Sequence, residues 1–471
     1  MAKSSRPDSA VKSKRIATPS RSAADIARTT TGPRPLPALQ QTRARRAPSS
    51  AQATTPAGLA ITAVRQASTP MVELRLRIPF GGDDHVHAAR AELLAETILL
   101  GTATRDREQV DNELASVGGH LSAHVGPQRL LITGSVIAPG LLVVLEILAE
   151  TLESAAYRAI DVTRQRDILQ EYLAITGAQP ATIAREYLQH KRFGEHPAAF
   201  EVPDADLVAL VTPAAVRGLH RRAVLPSGST LVLVGDLSPA ATSERAAAAL
   251  SNWVGSRAAR ALSTPPAVVG GTLTAHHRPG AVQTLTRLTS AGVLRTDPEY
   301  AAAQLANMVF GGYFSSRLVE NLREEKGFTY HAHSALEFWP GRSAVTISYD
   351  TATDVAAAAL VETRYELGRI ALIPPTDAEV DAARNYAIGS LAASLATQAG
   401  YASMVTTLAG SGLDQAWLMQ HQKNLRSATT EQVAGAAARL FSPAAVTGVI
   451  VGDLDASSTA FARLDGIEVA R

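Results

Sequence analysis

The fold is decided by residues 229–239, which read Ser-Thr-Leu-Val-Leu-Val-Gly-Asp-Leu-Ser-Pro. An apolar run of this length that ends at Gly and Asp predicts a buried strand, and the Ser-Pro pair after it predicts the start of a helix. Nearly the same phrase returns at residues 446–455, Val-Thr-Gly-Val-Ile-Val-Gly-Asp-Leu-Asp. Val451 takes the place of Val234, an offset too long for a solenoid period. The repeat therefore indicates a duplicated domain, with a chance match of a short phrase as the alternative.

Residues 256–272 separate the two copies and predict a connector. They contain Pro265-Pro266 and Gly270-Gly271 and show neither helical nor strand periodicity. Such a composition is typical of an exposed linker between domains. A chain of 471 residues also exceeds the size at which a single core usually stops growing, about 250–300 residues. We therefore expect an N-terminal domain over residues 55–255 and a C-terminal domain over residues 273–463.

Residues 1–54 form a basic segment. They contain eleven Lys or Arg against two acidic residues, Asp8 and Asp25, although the whole chain has a formal net charge of only +2. The low apolar content of this segment predicts a disordered tail. A targeting peptide, an arm that binds acidic partners and a dispensable extension all remain open. Nucleic-acid binding is not expected, because the tail contains no Phe, Tyr or Trp.

The composition also excludes several classes of protein. The chain has no cysteine, so neither a disulfide framework nor cysteine chemistry is possible, and a reducing compartment is compatible with the sequence. The most apolar stretch, residues 130–152, is interrupted by Pro139, Gly140 and Glu146. A membrane-spanning helix needs about 20 mostly apolar residues. We therefore expect no membrane span and a cytoplasmic location.

The structured region opens with a strand pattern and continues with helices. In residues 71–78 the apolar side chains alternate, which places Val72, Leu74 and Leu76 on one face of a strand. Helical periodicity follows in residues 88–100. The pattern indicates blocks of strands and helices in alternation.

Residues 311–330 give the most specific match to a known family. They read Gly-Gly-Tyr-Phe-Ser-Ser-Arg-Leu at the start and Leu-Arg-Glu-Glu-Lys-Gly-Phe-Thr-Tyr at the end, which resembles the second-half signature of the insulinase and pitrilysin zinc peptidases. Weaker matches such as Gly101-Thr102 and His196-Pro197 follow in order, so the resemblance spans roughly residues 58–460. It implies an α+β fold with two tandem homologous domains. Each would be a mainly antiparallel sheet with helices packed on one face.

The resemblance also locates a metal site that this chain has not kept. In the family, His-x-x-Glu-His lies a few residues before the Gly-Thr pair; its two His share one helix face and bind zinc, and its Glu is the general base. Counting back from Gly101-Thr102 leads to Glu92 and Glu96 in place of the histidines and to Ala95 in place of the base. The position of the third ligand falls on Glu171. Ala95 cannot accept a proton, and carboxylates without imidazole suit hard cations better than zinc, so we expect no metal and no peptide hydrolysis by this chain alone.

Two residues of the second half match positions that act on the substrate in the family. The resemblance implies that Arg323 and Tyr330 reach an active site formed with a partner. Arg offers a forked set of donors to carbonyl or carboxylate oxygens, and a Tyr hydroxyl can donate to the oxyanion that forms as water attacks an amide. The alternative has Arg323 paired with Glu320 or Glu324 and Tyr330 packed at the start of a strand. Ser316 and Arg317 are expected to cap and anchor the helix.

The resemblance implies a bacterial-type heterodimer in which a homologous catalytic subunit carries His-x-x-Glu-His and its zinc. An unfolded peptide substrate would then add a strand to a sheet edge at Gly119, His120, Leu121, Ser122 and Ala123. This segment is an ordinary sheet edge in the alternative interpretation.

Two other functions remain open. One is a structural, assembly or peptide-binding module that takes no part in hydrolysis. The other is a different hydrolysis at a metal site formed by Glu92, Glu96 and Glu171.

Overall fold

The computed structural model describes residues 47–470. The predicted boundary of the tail at residue 54 is wrong, because Ser50–Thr54 forms a strand of the first sheet. The rest of that tail, residues 1–46, lies outside the described residues. No helix in the described range is both long and apolar enough to cross a membrane.

Six strands build the first sheet: β1 (Ser50–Thr54), β2 (Ala60–Arg65), β3 (Met71–Pro79), β4 (His120–Gly126), β5 (Arg129–Ile137) and β6 (Thr230–Gly235). Their order across the sheet is β1-β2-β6-β3-β5-β4. All neighbours are antiparallel except β2 and β6. Val72, Leu74, Leu76 and Ile78 of β3 are buried, as their alternation predicts.

Within residues 47–470, eight helices accompany this sheet: α1 (His85–Thr97), α2 (Arg107–Ser116), α3 (Leu141–Ser154), α4 (Ala159–Gly177), α5 (Pro180–Phe193), α6 (Ala205–Ala209), α7 (Pro213–Ala223) and α8 (Pro239–Ala249). Polar residues fix where several of them begin. Asp84 caps α1 by accepting from the His87 backbone N–H, and Asp106 forms a capping box with Gln109 on α2.

The second sheet repeats the plan of the first. Its strands are β7 (Leu273–His277), β8 (Gln283–Ala291), β9 (Ala332–Trp339), β10 (Arg342–Ala352), β11 (Thr447–Gly452) and β12 (Ile467–Val469). Their order is β12-β7-β11-β8-β10-β9, and β7 is parallel to both β11 and β12. Five strands of the second sheet, in the order β7-β11-β8-β10-β9, thus take the same places as β2-β6-β3-β5-β4 in the first sheet. The repeated phrase occupies β6 and β11, equivalent buried strands, which confirms the duplication.

The helices of the second half are α9 (Tyr300–Asn307), α10 (Arg317–Val319), α11 (Ala356–Leu372), α12 (Asp377–Ser394), α13 (Gln398–Ala409), α14 (Gln415–Ser427), α15 (Thr430–Leu440) and α16 (Leu454–Phe461). Two π-helical segments, Met308–Gly312 and Glu320–Glu325, flank α10. π-Helical turns are rare and occur frequently at functional sites. They fall within the segment that carries the family resemblance.

The two halves exchange helices. Helix α13 of the second half packs on β3 and β6 of the first sheet, where Tyr401, Val405 and Leu408 meet Val64 and Val232. In return, α5 of the first half packs on β8 and β11 of the second sheet through Ala184, Leu285 and Val451. Each sheet is therefore covered on one face by its own helices and partly on the other by a helix from its counterpart.

The connector between the halves has no helix or strand over residues 256–272, but it is not exposed throughout. Ala259 and Leu262 are buried, and Leu262 packs with Phe193 and Trp339 in a small cluster that joins the two halves. The second half also extends to Val469, beyond the limit of 463 expected from sequence. The apolar residues of the connector anchor it against both halves.

Gln398 at the start of α13 fixes the exchanged helix to the first half. Its side chain is buried; its amide nitrogen donates to the carbonyls of Gln66, Thr69 and Met71, and its amide oxygen accepts from the Thr69 hydroxyl. Replacing Gln398 with Ala removes the donor from three carbonyls whose hydrogen bonds are partly buried, which costs about 1–3 kcal/mol. We expect the free energy of unfolding, measured by urea denaturation, to fall by that amount.

Gln420 on α14 provides the control for this prediction. It is exposed and bonds only its helical neighbour Asn424, so Gln420→Ala should change the free energy of unfolding by less than about 0.5 kcal/mol. Equal losses in the two variants would contradict a special role for Gln398 in joining the halves.

Candidate functional site

Helix α1 places the residues that stand where the family binds zinc. It packs against β4 and the helices α4, α6 and α7, and Ala95 is buried with a 6% exposed surface. Glu92 is half-buried and lines a small pocket with Phe80, His87 and Phe200, whereas Glu96, one turn later, is exposed. The structure therefore brings Glu92 and Glu96 to one side of α1, as expected, but leaves no proton acceptor at Ala95.

The surroundings of Glu92 disfavour its charged form. Burial, and secondarily the negative charge of Glu96, raise the pKa of the Glu92 carboxyl to about 7. At neutral pH the Glu92 carboxyl is therefore divided between its protonated and charged forms. It can lose its proton readily if a cation comes close.

Glu171 lies on α4, which packs against α1, and it is exposed. Among the described residues, a set of three potential metal ligands within 4.8 Å of one another occurs only at His277, Asp453 and Asp455. Glu92, Glu96 and Glu171 do not form such a set. The three-carboxylate metal site, which the sequence left open as an alternative, is thus not assembled among the described residues.

Arg323 lies in the π-helical segment Glu320–Glu325, at the surface of the second half. Its guanidinium is stacked on the Phe314 ring, 4.7 Å from the ring centre, and its Nε lies 3.4 Å from a carboxylate oxygen of Glu324. The pairing with Glu324 is the one that the alternative interpretation expected. The contact with Phe314 holds the guanidinium in place without using most of its donors.

Tyr330 precedes β9 and projects into solvent. Its side chain is 94% exposed, so the alternative expectation that it packs at the start of a strand is wrong. The strand begins two residues later, at Ala332. A Tyr so exposed contributes little to the stability of the chain and leaves its hydroxyl available to another molecule.

Arg317 anchors α10, as predicted, but Ser316 does not cap it by a side-chain bond. The Arg317 guanidinium donates to both carboxylate oxygens of Glu379 and to the Ile373 carbonyl, which fixes α10 to α12. This pairing lowers the pKa of Glu379 to about 2. The Ser316 hydroxyl is buried without a hydrogen-bond partner.

Strand β4 is the outermost strand of the first sheet and pairs with β5 alone. Residues 120–123 of the segment expected to bind substrate lie on it, and Gly119 precedes it. Its other edge leaves backbone N–H and C=O groups available for a further strand. The position fits the expectation, and binding of a peptide there stays a prediction.

Several exposed apolar side chains near these positions were not identified from the sequence. Ile168, Tyr172 and Ile175 form an exposed stripe on α4 beside Glu171, and Phe314 is 58% exposed beside Arg323. The spacing of four and three residues in 168, 172 and 175 could have revealed the stripe, because it places them on one helix face. No pattern in the sequence indicates that this face stays uncovered.

Replacing Glu92 with Gln should stabilise the protein at high pH only. The folded-state pKa is above that of the unfolded chain, so ionisation of Glu92 costs stability above about pH 4.5, and the full cost applies above pH 7. We expect Glu92→Gln to raise the free energy of unfolding by about 3 kcal/mol at pH 8 and by almost nothing near pH 4, as measured by urea denaturation. The exposed Glu171→Gln is the control and should show no such pH dependence. If Glu92→Gln changed the free energy of unfolding equally at both pH values, the raised pKa of Glu92 would be refuted.

Two family models match the chain. The model of the insulinase family, peptidase family M16, matches residues 63–204, and the model of the peptidase M16 inactive domain matches residues 211–386. Together they cover more than half of the chain.

Curated relatives match part of the same region. An uncharacterized zinc protease of Mycobacterium tuberculosis is 24% identical over 268 residues, which are 55% of this chain and 60% of the relative. Another, from Streptomyces coelicolor, is 24% identical over 298 residues, which are 60% of this chain and 63% of the relative. The chain thus spans less than two thirds of the length of these relatives.

Solved structures share the fold. The peptidase M16 inactive domain from Pseudomonas fluorescens has a TM-score of 0.76 at 22% identity, covering 86% of this chain and 98% of that one. A protease from Helicobacter pylori has a TM-score of 0.76 at 16% identity, covering 86% of this chain and 100% of that one. With the duplicated sheets and the order of the motifs, the two family models show that the chain belongs to the insulinase family of peptidases, family M16, and that its residues 211–386 match the inactive domain of that family.

Proposed function

We propose that this chain is the non-catalytic subunit of a heterodimeric zinc metallopeptidase and supplies substrate-binding residues to an active site whose zinc is held by a partner. The observation that carries the proposal is the 94% exposure of Tyr330, at the position where the family acts on substrate. The zinc positions, by contrast, hold Glu92, Ala95 and Glu96. The substrate-binding part of the site is kept and the metal-binding part is lost.

The geometry around Arg323 supports a role toward another molecule. A helical turn of the π type holds Arg323, and Phe314 supports its guanidinium from one side. Arg323 and Tyr330 are thereby presented at the surface with donors free for a peptide carbonyl and for a developing oxyanion. Arg317 and Glu379 fix α10, the short helix directly before the turn that carries Arg323, which limits the freedom of that turn.

The edge strand β4 supplies the second part of the proposal. An unfolded peptide that pairs with β4 gains backbone hydrogen bonds that do not depend on its sequence. The exposed stripe of Ile168, Tyr172 and Ile175 offers apolar contacts to its side chains or to the partner. The partner in this proposal is a homologous subunit with His-x-x-Glu-His and zinc, and the complex acts on unfolded peptides in the cytoplasm.

A binding module without hydrolysis is the second candidate. The same exposed apolar side chains on α4 would suit a permanent contact with another protein. This candidate requires stable association with no turnover of peptides by the complex. It also requires that Tyr330 contribute only contact area.

The test uses this chain purified together with the partner that it binds in its native cells. We expect chelator-sensitive cleavage of unfolded peptides, and we expect Tyr330→Phe to lower kcat by about 10²-fold because an oxyanion donor is lost. Arg323→Lys should mainly raise KM, since Lys cannot reproduce the fork of donors. Both constants are measured with an unfolded peptide.

Tyr365→Phe is the matched control, because Tyr365 is also an exposed Tyr of the second half but lies on α11. Its complex should keep the parent kcat and KM. Unchanged turnover with both Tyr330→Phe and Arg323→Lys would eliminate the role in trans. A stable complex with no turnover at all would establish the binding module instead.

A further inference from the structure

A cavity of about 490 Å³ lies where the two halves meet. Its walls come from β3, the β4–β5 turn, the loop after β8, the β9–β10 hairpin and the end of α13. The Gln128 amide donates to the Phe338 carbonyl and so joins the two hairpins at its rim. Its volume falls within the range of small-molecule sites, about 300–1,000 Å³. None of the residues that line the cavity belongs to the proposed peptidase site.

Three arginines line this cavity: Arg77 from β3, Arg129 from β5 and Arg295 from the loop after β8. None of the described residues in the cavity wall is acidic. Arg295 is stacked on the Phe338 ring at 3.4 Å, which orients its guanidinium. Thr296 and Ser411 also line the cavity, and their hydroxyls are neutral donors.

The positive charge of the cavity is not balanced by ion pairs. Within residues 47–470, no hydrogen bond or salt bridge to a carboxylate is formed by Arg77 or Arg129. Burial and the charge of Arg129 lower the pKa of Arg77. Arg77 lies against α13 at Gly410, where an added Cβ would come within 2.6 Å of its Nε. A glycine at this point therefore makes room for the guanidinium.

The acidic side chains of the adjoining cavity already have partners. Glu201 and Glu337 line an adjoining cavity that shares Arg129. Glu337 pairs with the buried Arg192, and Glu201 pairs with Arg185. These carboxylates are therefore committed to other arginines, and the three arginines of the cavity retain an excess positive charge.

We propose that this cavity binds a small polyvalent oxyanion, with Arg77, Arg129 and Arg295 as its ligands. Guanidinium groups bind phosphate and carboxylate oxygens through paired hydrogen bonds, and three of them match an anion with several charged oxygens. The ligand would bridge the first half, through Arg77 and Arg129, and the second half, through Arg295. The site is independent of the proposed peptidase function, because it needs neither a partner nor a peptide.

Isothermal titration calorimetry of the 471-residue chain with inorganic triphosphate at low ionic strength tests the proposal. We expect one saturable site whose affinity falls as salt is added. Arg129 is exposed at the cavity, so Arg129→Gln should fold normally and weaken binding at least about tenfold. Arg77→Gln should weaken binding similarly, and a melting curve without ligand checks that this variant is folded.

Arg221→Gln is the matched control, because Arg221 is exposed on α7 and does not line the cavity. It should leave binding unchanged. The melting temperature of ligand-free Arg129→Gln should be equal to or above that of the parent, since the substitution removes a repulsion between like charges. If Arg129 served only to stabilise the fold, the melting temperature of Arg129→Gln would be lower than that of the parent.

Titrations with ATP and with citrate identify the chemical class of the anion. Tighter binding of ATP than of triphosphate would assign a nucleotide, because Phe338 and Trp339 provide aromatic side chains at the cavity. Citrate that binds as tightly as triphosphate would assign a polycarboxylate. The proposal is overturned if none of the three saturates the chain at about 1 mM, or if Arg129→Gln binds as tightly as the parent.

Discussion

The exchange of α5 and α13 between the halves constrains the rest of the structure. Each helix belongs by sequence to one half and buries its apolar face on the sheet of the other. The halves therefore cannot separate without exposing the apolar surface of both sheets, at about 25 cal/mol per Å². Val64 and Val232 in the first sheet and Val451 in the second are buried on account of these contacts. The duplication thus produces one body from two similar units.

This constraint also sets where the sites lie. Because α13 is held on β3, its C-terminal end at Gly410 comes beside Arg77, and the hairpin tips at Gln128 and Phe338 meet. The arginine cavity is a consequence of that meeting. Arg192 on the exchanged α5 lies at the same junction and pairs with Glu337. Polar groups from both halves are brought together at the seam because the apolar faces are buried elsewhere.

Much of the fold could be predicted from local patterns. The repeated Val-Gly-Asp-Leu phrase identified β6 and β11, because a buried central strand is read as an apolar run. The structure also explains why this phrase contains a glycine, because a Cβ at Gly235 would collide with the Met71 carbonyl. The exchange of helices could not be predicted, because amphipathic α13 shows which face is apolar and not which sheet it will meet.

The candidate site could likewise be predicted only in part. Positions such as Glu92 and Tyr330 could be located because a motif fixes their place in the chain. The environments of these two residues could not be predicted, because the raised pKa of Glu92 and the exposure of Tyr330 depend on what packs around them. The arginine cavity was missed for a further reason. Its residues come from five segments with no common motif, and charge clusters of that kind exist only in three dimensions.

The energetics of the proposed complex follow from these environments. An exposed Arg such as Arg323, already paired with Glu324, contributes little to association, because surface ion pairs are worth about 0–1 kcal/mol. Covering an exposed aromatic side chain contributes about 1.5–3 kcal/mol, part of which is offset by the entropy lost on association. Tyr330 and the aromatic Phe314 therefore offer more binding energy than the charges around them. If these residues meet a partner or a peptide, apolar contact holds the complex together and Arg323 determines how the peptide is oriented.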